Sequence, residues 1–113
     1  MTANIPSRKI LNKIIQRIVA TADPEQIIMF GSAARGQMRR DSDIDLLVVK
    51  RGSYNPRTIA AEIYMNLYGV GQAVDIIVAT PEQLDQYKDS PFMVVFPALR
   101  EGRIIYDARP VPA

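Results

Sequence analysis

Hydrophobic residues recur along the chain with two different spacings, and each spacing predicts a different kind of element. Over residues 8–21 the apolar side chains return every three or four positions with Lys and Arg between them. This spacing predicts an amphipathic helix, with Ser7 as its N-cap. Four shorter stretches are apolar almost throughout and predict buried strands: 26–30, 43–49, 74–79 and 103–106.

Residues that start or stop helices predict four more of them. Proline suits the first helical position, and Thr followed three residues later by Gln is the pattern of a capping box. The predicted helices are a short one at 33–39, one from Asn55-Pro56 to Gly69, one opened by Thr80 to Gln83, and one from Ser90-Pro91 to Gly102. Five helices and four strands in alternation predict an α/β domain, with helices packed on a small mixed β-sheet.

The length of 113 residues predicts a single domain, over residues 1–109, followed by a frayed proline-rich tail at 110–113. A hydrophobic share of 48% and a charged share of 23% are ordinary for a soluble globular protein. The net charge of +2 is too small to imply direct nucleic-acid binding, and no apolar run reaches the length of a membrane span. The amino-terminal residues lack the apolar region of a signal peptide, so we expect a cytoplasmic protein.

Cysteine and histidine are both absent. Disulfides and thiolate chemistry are therefore excluded, and so are the commonest general base and the commonest metal ligand. Any catalysis must rest on carboxylates, hydroxyls, Lys or Arg side chains and metal ions.

A turn and two carboxylates carry the strongest chemical signal. The apolar run at 26–30 ends in Gly31-Ser32, and ten residues then separate Ser32 from Asp43. Glycine lets the backbone turn sharply and approach a phosphate, while Ser32 offers a hydroxyl and an amide. Asp43 and Asp45 are two apart, so on a strand they leave by the same face. Hard oxygen ligands beside a phosphate-holding turn suit Mg²⁺ bound to a nucleoside triphosphate. The spacing predicts an enzyme that handles polyphosphates, whereas the bland alternative is a solvated turn with two surface aspartates.

The segments 31–36, Gly-Ser-Ala-Ala-Arg-Gly, and 42–46, Ser-Asp-Ile-Asp-Leu, resemble the minimal nucleotidyltransferase (MNT) family of the polymerase β-type superfamily. Its members include antitoxins of HEPN-domain ribonuclease toxins. The resemblance covers residues 10–107 and implies the nucleotidyltransferase fold. It also implies a third carboxylate on a later strand, a place that Asp75 fills.

Asp75 also stands out by itself, because it interrupts the apolar run Val-Asp-Ile-Ile-Val. Burying a carboxylate without a partner is expensive, which favours a functional role. In that role Asp75 would complete a two-metal site with Asp43 and Asp45, or act as the base that deprotonates the acceptor. The alternative is a strand-end aspartate near solvent.

The sequence leaves the roles of several other polar residues undecided. Arg35 is a candidate for binding phosphate or the pyrophosphate leaving group, because it falls within the family-like segment. For Arg39 and Arg40 a solvated surface is an equal alternative, and Lys50, Arg51 and Arg57 face either the site or solvent. Ser42 is expected to cap or orient Asp43.

Tyr64 and Tyr68 are expected to pack in the core, and the stripe from Phe92 to Leu99 is core or a partner surface.

The leading hypothesis is a Mg²⁺-dependent enzyme, using two Mg²⁺ ions, that transfers AMP from ATP to a hydroxyl group. The chain is too short for a separate acceptor-binding lobe, and the resemblance implies a tyrosine of a HEPN-type toxin as acceptor. The protein would then be a type VII-like antitoxin in a hetero-oligomer. Two alternatives remain: an antitoxin that neutralises its partner by binding alone, and transfer to a small molecule with the help of a partner subunit.

Overall fold

Four strands form one mixed sheet in the computed structural model of the chain, which describes residues 6–39, 42–87 and 101–109. The strands are β1 Gln26–Phe30, β2 Ile44–Val49, β3 Val74–Ala79 and β4 Arg103–Asp107, in the order β3-β2-β1-β4. Strand β1 is antiparallel to β2 and β4, whereas β2 and β3 are parallel. The predicted α/β class with a small mixed sheet and packed helices is confirmed.

The described helices are α1 Arg8–Ala22, α2 Gly31–Ala34, α3 Pro56–Leu67 and α4 Pro81–Tyr87. Their starts follow the predicted capping signals. Ser7 accepts the amide of Ile10 at 3.2 Å, and Asn55 accepts the amide of Arg57 at 2.9 Å. The capping box is reciprocal: Thr80 and Gln83 each accept the other's backbone amide, at 3.1 and 2.9 Å.

The two faces of the sheet are covered differently. Helices α1 and α3 pack on one face over a large apolar cluster, to which β2 contributes Ile44, Leu46 and Val48. The other face carries a smaller cluster, in which Leu47 and Val49 of β2 meet Leu84 of α4. Because side chains alternate along a strand, Asp45 lies on this second face. Among the described residues, this smaller cluster does not extend to the start of β2 and β3 on that side.

The short helix after β1 departs from its prediction. It covers Gly31–Ala34, where the sequence predicts 33–39, and a positive φ of 69° at Gly36 accompanies its early end. Strand β2 begins at Ile44, so Asp43 lies just before the strand instead of being its first residue.

Some predictions fall outside the described residues. These are the helix from Ser90-Pro91 with its apolar stripe, the residue Arg40, and the tail at 110–113. The extent of a single domain over residues 1–109 stays a prediction. Within the described ranges, no helix combines the length and the apolar character needed to cross a membrane.

Candidate active site

Strand register brings two carboxylates side by side. In the parallel pair β2–β3, Asp45 lies opposite Asp75, so both side chains leave the sheet by the same face. Asp43 precedes Asp45 by two residues, and its charge acts on Asp45. Asp45 is half-buried, while Asp43 and Asp75 are exposed. The three predicted acidic residues therefore gather at the open end of the second face.

The turn at Gly31 lies directly against Asp45. Phe30, the last residue of β1, pairs with Asp45, which places Gly31 at the end of the acidic row. Gly31 has φ of +72°, and a Cβ atom built there would overlap Asp45 Oδ2 and lie 3.2 Å from Asp45 Cγ. Glycine is thus required both by the backbone and by the close approach of the carboxylate.

The charge on Asp45 is costly in the folded protein. Burial raises the pKa of its carboxyl group, and the neighbouring charges of Asp75 and Asp43 raise this pKa further, while Arg35 lowers it. The carboxylates of Asp43, Asp45 and Asp75 thus concentrate negative charge at this end of the sheet, and their oxygen atoms are hard donors. This chemistry fits a divalent cation such as Mg²⁺, which would offset the repulsion.

The acidic residues do not form a closed ligand cage. Over residues 6–39, 42–87 and 101–109, no group of three or more His, Cys, Asp or Glu side chains has the arrangement of a metal site. The carboxylates are neighbours on an open surface, two of them exposed to solvent.

Ser32 and Arg35 flank the turn in different ways. Ser32 is the second residue of α2 and is half-buried. Helix α2 has only four residues, so the helix dipole expected there is small. Arg35 is the C-cap of α2, pairs with Glu101 at 3.3 Å and donates to Gln37 at 3.1 Å. Its side chain is 45% exposed, which leaves its charge available to an anion at the turn.

Tyr64 contacts the acidic residues, although the sequence predicted that it packs in the core. Its hydroxyl donates to Asp75 Oδ1 at 3.3 Å and accepts the amide of Ile76 at 2.8 Å. Burial raises the pKa of this hydroxyl, so it is protonated and acts as a donor at neutral pH. The prediction that Tyr64 and Tyr68 pack in the core is wrong, since they are 43% and 89% exposed. The apolar spacing of α3 carries no signal of this contact, because it depends on how closely α3 approaches the edge of β3.

Lys50 and Arg51, which follow β2, make their contacts at the opposite end of the sheet from the acidic residues. Lys50 donates to the carbonyl of Ala22 at 2.6 Å, and Arg51 pairs with Glu25 at 2.7 Å. Ser42 does not orient Asp43 through its side chain: its hydroxyl accepts the amide of Arg39 at 2.7 Å. This bond joins Arg39 to the residue that directly precedes Asp43.

Comparison with known proteins agrees with the observed fold. The family model described as polymerase beta, nucleotidyltransferase, matches residues 12–110. A protein described as a nucleotidyltransferase from Sulfolobus solfataricus has a similar structure, with a TM-score of 0.63 and 22% identity, over 88% of this chain and 79% of that one. A crystal structure described as a toxin-antitoxin with AMP-PNP gives 0.64 and 18% identity, over 87% and 73%. At such identities the likeness shows a shared fold. No curated protein matches the chain significantly.

Proposed function

The chain belongs to the polymerase β nucleotidyltransferase family, and we propose that it transfers AMP from ATP to a hydroxyl group. One observation carries the proposal: Asp45 lies directly against Gly31 of the Gly31-Ser32 turn, and Asp75 lies opposite Asp45 on the next strand. A triphosphate held at this turn would place its reacting phosphorus over the acidic row. The turn, the acids and Arg35 supply the three functions that nucleotidyl transfer needs, namely phosphate binding, proton removal and stabilisation of the leaving group.

The Mg²⁺ ions would be held by the carboxylates of Asp43, Asp45 and Asp75. The family resemblance implies two such ions. Their crowded negative charge supports this assignment, because Asp75 and Asp43 raise the pKa of Asp45 and Arg35 only partly opposes them. Bound there, Mg²⁺ would neutralise the triphosphate and lower the pKa of the attacking hydroxyl.

The other roles in the reaction would fall to Ser32, Asp75 and Arg35. Ser32 would hold a phosphate oxygen through its hydroxyl and amide. Asp75 would accept the proton of the acceptor hydroxyl, because histidine is absent and this carboxylate is exposed. Arg35 would stabilise the negative charge that gathers on the departing pyrophosphate.

We further propose that the acceptor is a tyrosine hydroxyl of a HEPN-type toxin, and that its modification silences the toxin. The open surface around Asp43 and Asp75 supports a macromolecular acceptor, since both carboxylates are exposed. The similar structure described as a toxin-antitoxin with AMP-PNP also supports this choice. The protein would then act as an antitoxin within a hetero-oligomer.

A labelling experiment tests the function. The protein is incubated with a HEPN-type toxin, Mg²⁺ and ATP labelled at either the α- or the γ-phosphate. Label from α-labelled ATP alone should reach a toxin tyrosine, and ribonuclease activity should fall in parallel. The enzymatic proposal is refuted if the toxin stays unlabelled while wild type and Asp43→Ala neutralise it equally. That result would instead identify an antitoxin that acts by binding.

Replacing Arg35 by Ala is expected to lower kcat/KM for ATP about 10- to 100-fold. A hydrogen bond to a charged group contributes about 1.5–3 kcal/mol, and each 1.4 kcal/mol is tenfold. Two control variants isolate the cause in steady-state kinetics. Glu101→Gln removes the ion pair but keeps the arginine, and Arg57→Ala removes an exposed arginine at the start of α3. An equal loss of activity in Glu101→Gln and Arg35→Ala would show that activity requires the ion pair between these residues, and it would reject a phosphate contact of Arg35.

A further inference from the structure

The hydroxyl of Tyr64 occupies the position that an acceptor hydroxyl needs. It donates to Asp75 Oδ1 at 3.3 Å, and Asp75 is the carboxylate assigned to remove the acceptor proton. Tyr64 is 43% exposed, so it lies at the surface of the protein and not in the apolar core. The hydroxyl of Tyr54, by contrast, donates to the carbonyl of Lys50.

The hydrogen bonds of this hydroxyl leave one electron pair free for attack. A tyrosine oxygen carries one proton and two lone pairs. The proton is directed at Asp75, and one lone pair accepts the amide of Ile76 at 2.8 Å. The second lone pair remains for a bond to phosphorus. The Ile76 amide also favours the negative charge that develops on the oxygen as its proton leaves.

The order of the groups across the sheet suits an in-line reaction. The phosphate turn at Gly31 lies at the end of β1, Asp45 on β2, and Asp75 on β3, the outermost strand on this side of the described sheet. Tyr64 reaches Asp75 from α3, at the far end of this row. Attacking and leaving oxygens stand on opposite sides of the phosphorus. With pyrophosphate departing towards Gly31, the acceptor must come from the side where Tyr64 lies.

We propose that Tyr64 is a self-modification site, at which the protein attaches a nucleoside monophosphate to its own hydroxyl. The inference rests on the proposed function, with ATP as the co-substrate. A bond forms between Tyr64 Oη and the α-phosphorus, and the bond from that phosphorus to the bridging oxygen breaks. Pyrophosphate leaves with the electron pair of that bond, and the tyrosine proton passes to Asp75. The product is a phosphodiester on Tyr64.

The reaction is intramolecular and stops after one nucleotide. Tyr64 and Asp75 belong to the same chain and are already in contact, so the rate per chain does not depend on protein concentration. The modified tyrosine no longer donates to Asp75, and its bulk occupies the acceptor side of the site. Transfer to an external acceptor is therefore slower in the modified protein than in a Tyr64→Phe variant.

Purified protein incubated alone with Mg²⁺ and α-labelled ATP tests the inference. We expect up to one label per chain by intact mass, with a first-order rate that is unchanged on dilution. Tandem mass spectrometry of the tryptic peptide 58–88 should place the label on Tyr64. Tyr64→Phe should lose the label, whereas Tyr68→Phe, at the C-cap of α3 and 89% exposed, should keep it. Mapping on the wild-type chain needs no variant, so a folding defect in Tyr64→Phe cannot obscure the result.

The outcomes also separate this inference from the proposed function. A wild-type chain that labels a HEPN-type toxin but never itself overturns the self-modification and leaves the transfer activity intact. A chain that labels neither overturns both. Label that maps to another residue, or a rate that rises in proportion to protein concentration, likewise rejects Tyr64 as an intramolecular acceptor.

Discussion

Replacing Asp45 by Asn is expected to abolish nucleotidyl transfer while making the metal-free protein more stable. Activity should fall by more than about 100-fold, because groups that merely support a metal ligand already contribute 10- to 100-fold. The free energy of unfolding should rise by about 0.5–1 kcal/mol, the size of a cross-strand pair interaction. The reason is that burial, Asp75 and Asp43 all disfavour the ionised form of Asp45 in the folded state.

The sign of the stability change depends on pH. Because the pKa of Asp45 is raised on folding above 3.8, ionisation destabilises the native state at neutral pH, and this cost disappears as the pH falls below 3.8. Urea unfolding in EDTA at neutral and acid pH should therefore show a gain for Asp45→Asn only at neutral pH. Asp23→Asn is the matched control, since Asp23 is an exposed residue with positive φ that asparagine also adopts. Full activity in a folded Asp45→Asn variant would exclude Asp45 as a metal ligand.

Replacing Gly31 by Ala is expected to lower both stability and activity. Alanine disfavours a φ of +72°, which costs about 1–2 kcal/mol, and its Cβ would also overlap the Asp45 carboxylate. Displacing that carboxylate should reduce transfer about 100-fold, since a misplacement of about 1 Å in a reacting group has an effect of this size.

Gly69→Ala separates these two effects. Gly69 has a similar φ of +83°, but nothing lies within 4 Å of the position where its Cβ would be. Gly31→Ala should therefore cost about 1–3 kcal/mol more than Gly69→Ala in urea unfolding, a typical penalty for overpacking. Gly69→Ala should keep its nucleotidyl-transfer activity. Equal losses of stability and activity in both variants would show that the backbone conformation matters and the contact with Asp45 does not.

Local chemistry made much of the fold predictable. Ser7, Asn55 and Thr80 start their helices as the capping signals indicate, because each cap forms with an amide only two or three residues away. The bounds of α2 were less predictable. The one-turn helix begins at Gly31 itself, and the apolar spacing of so short a segment does not indicate where it ends.

The sequence by itself determined the alternation of the described helices and strands and the Gly31-Ser32 turn, and its spacing predicted a shared face for Asp43 and Asp45. Each of these follows from spacings of a few residues along one element. Only the tertiary structure decided that Asp75 lies opposite Asp45, that Gly31 lies against the Asp45 carboxylate, and that Tyr64 bonds to Asp75. These contacts depend on strand order, on register and on the approach of α3 to β3. Such relations arise between segments that are distant in sequence, where packing of the two sheet faces selects a single arrangement.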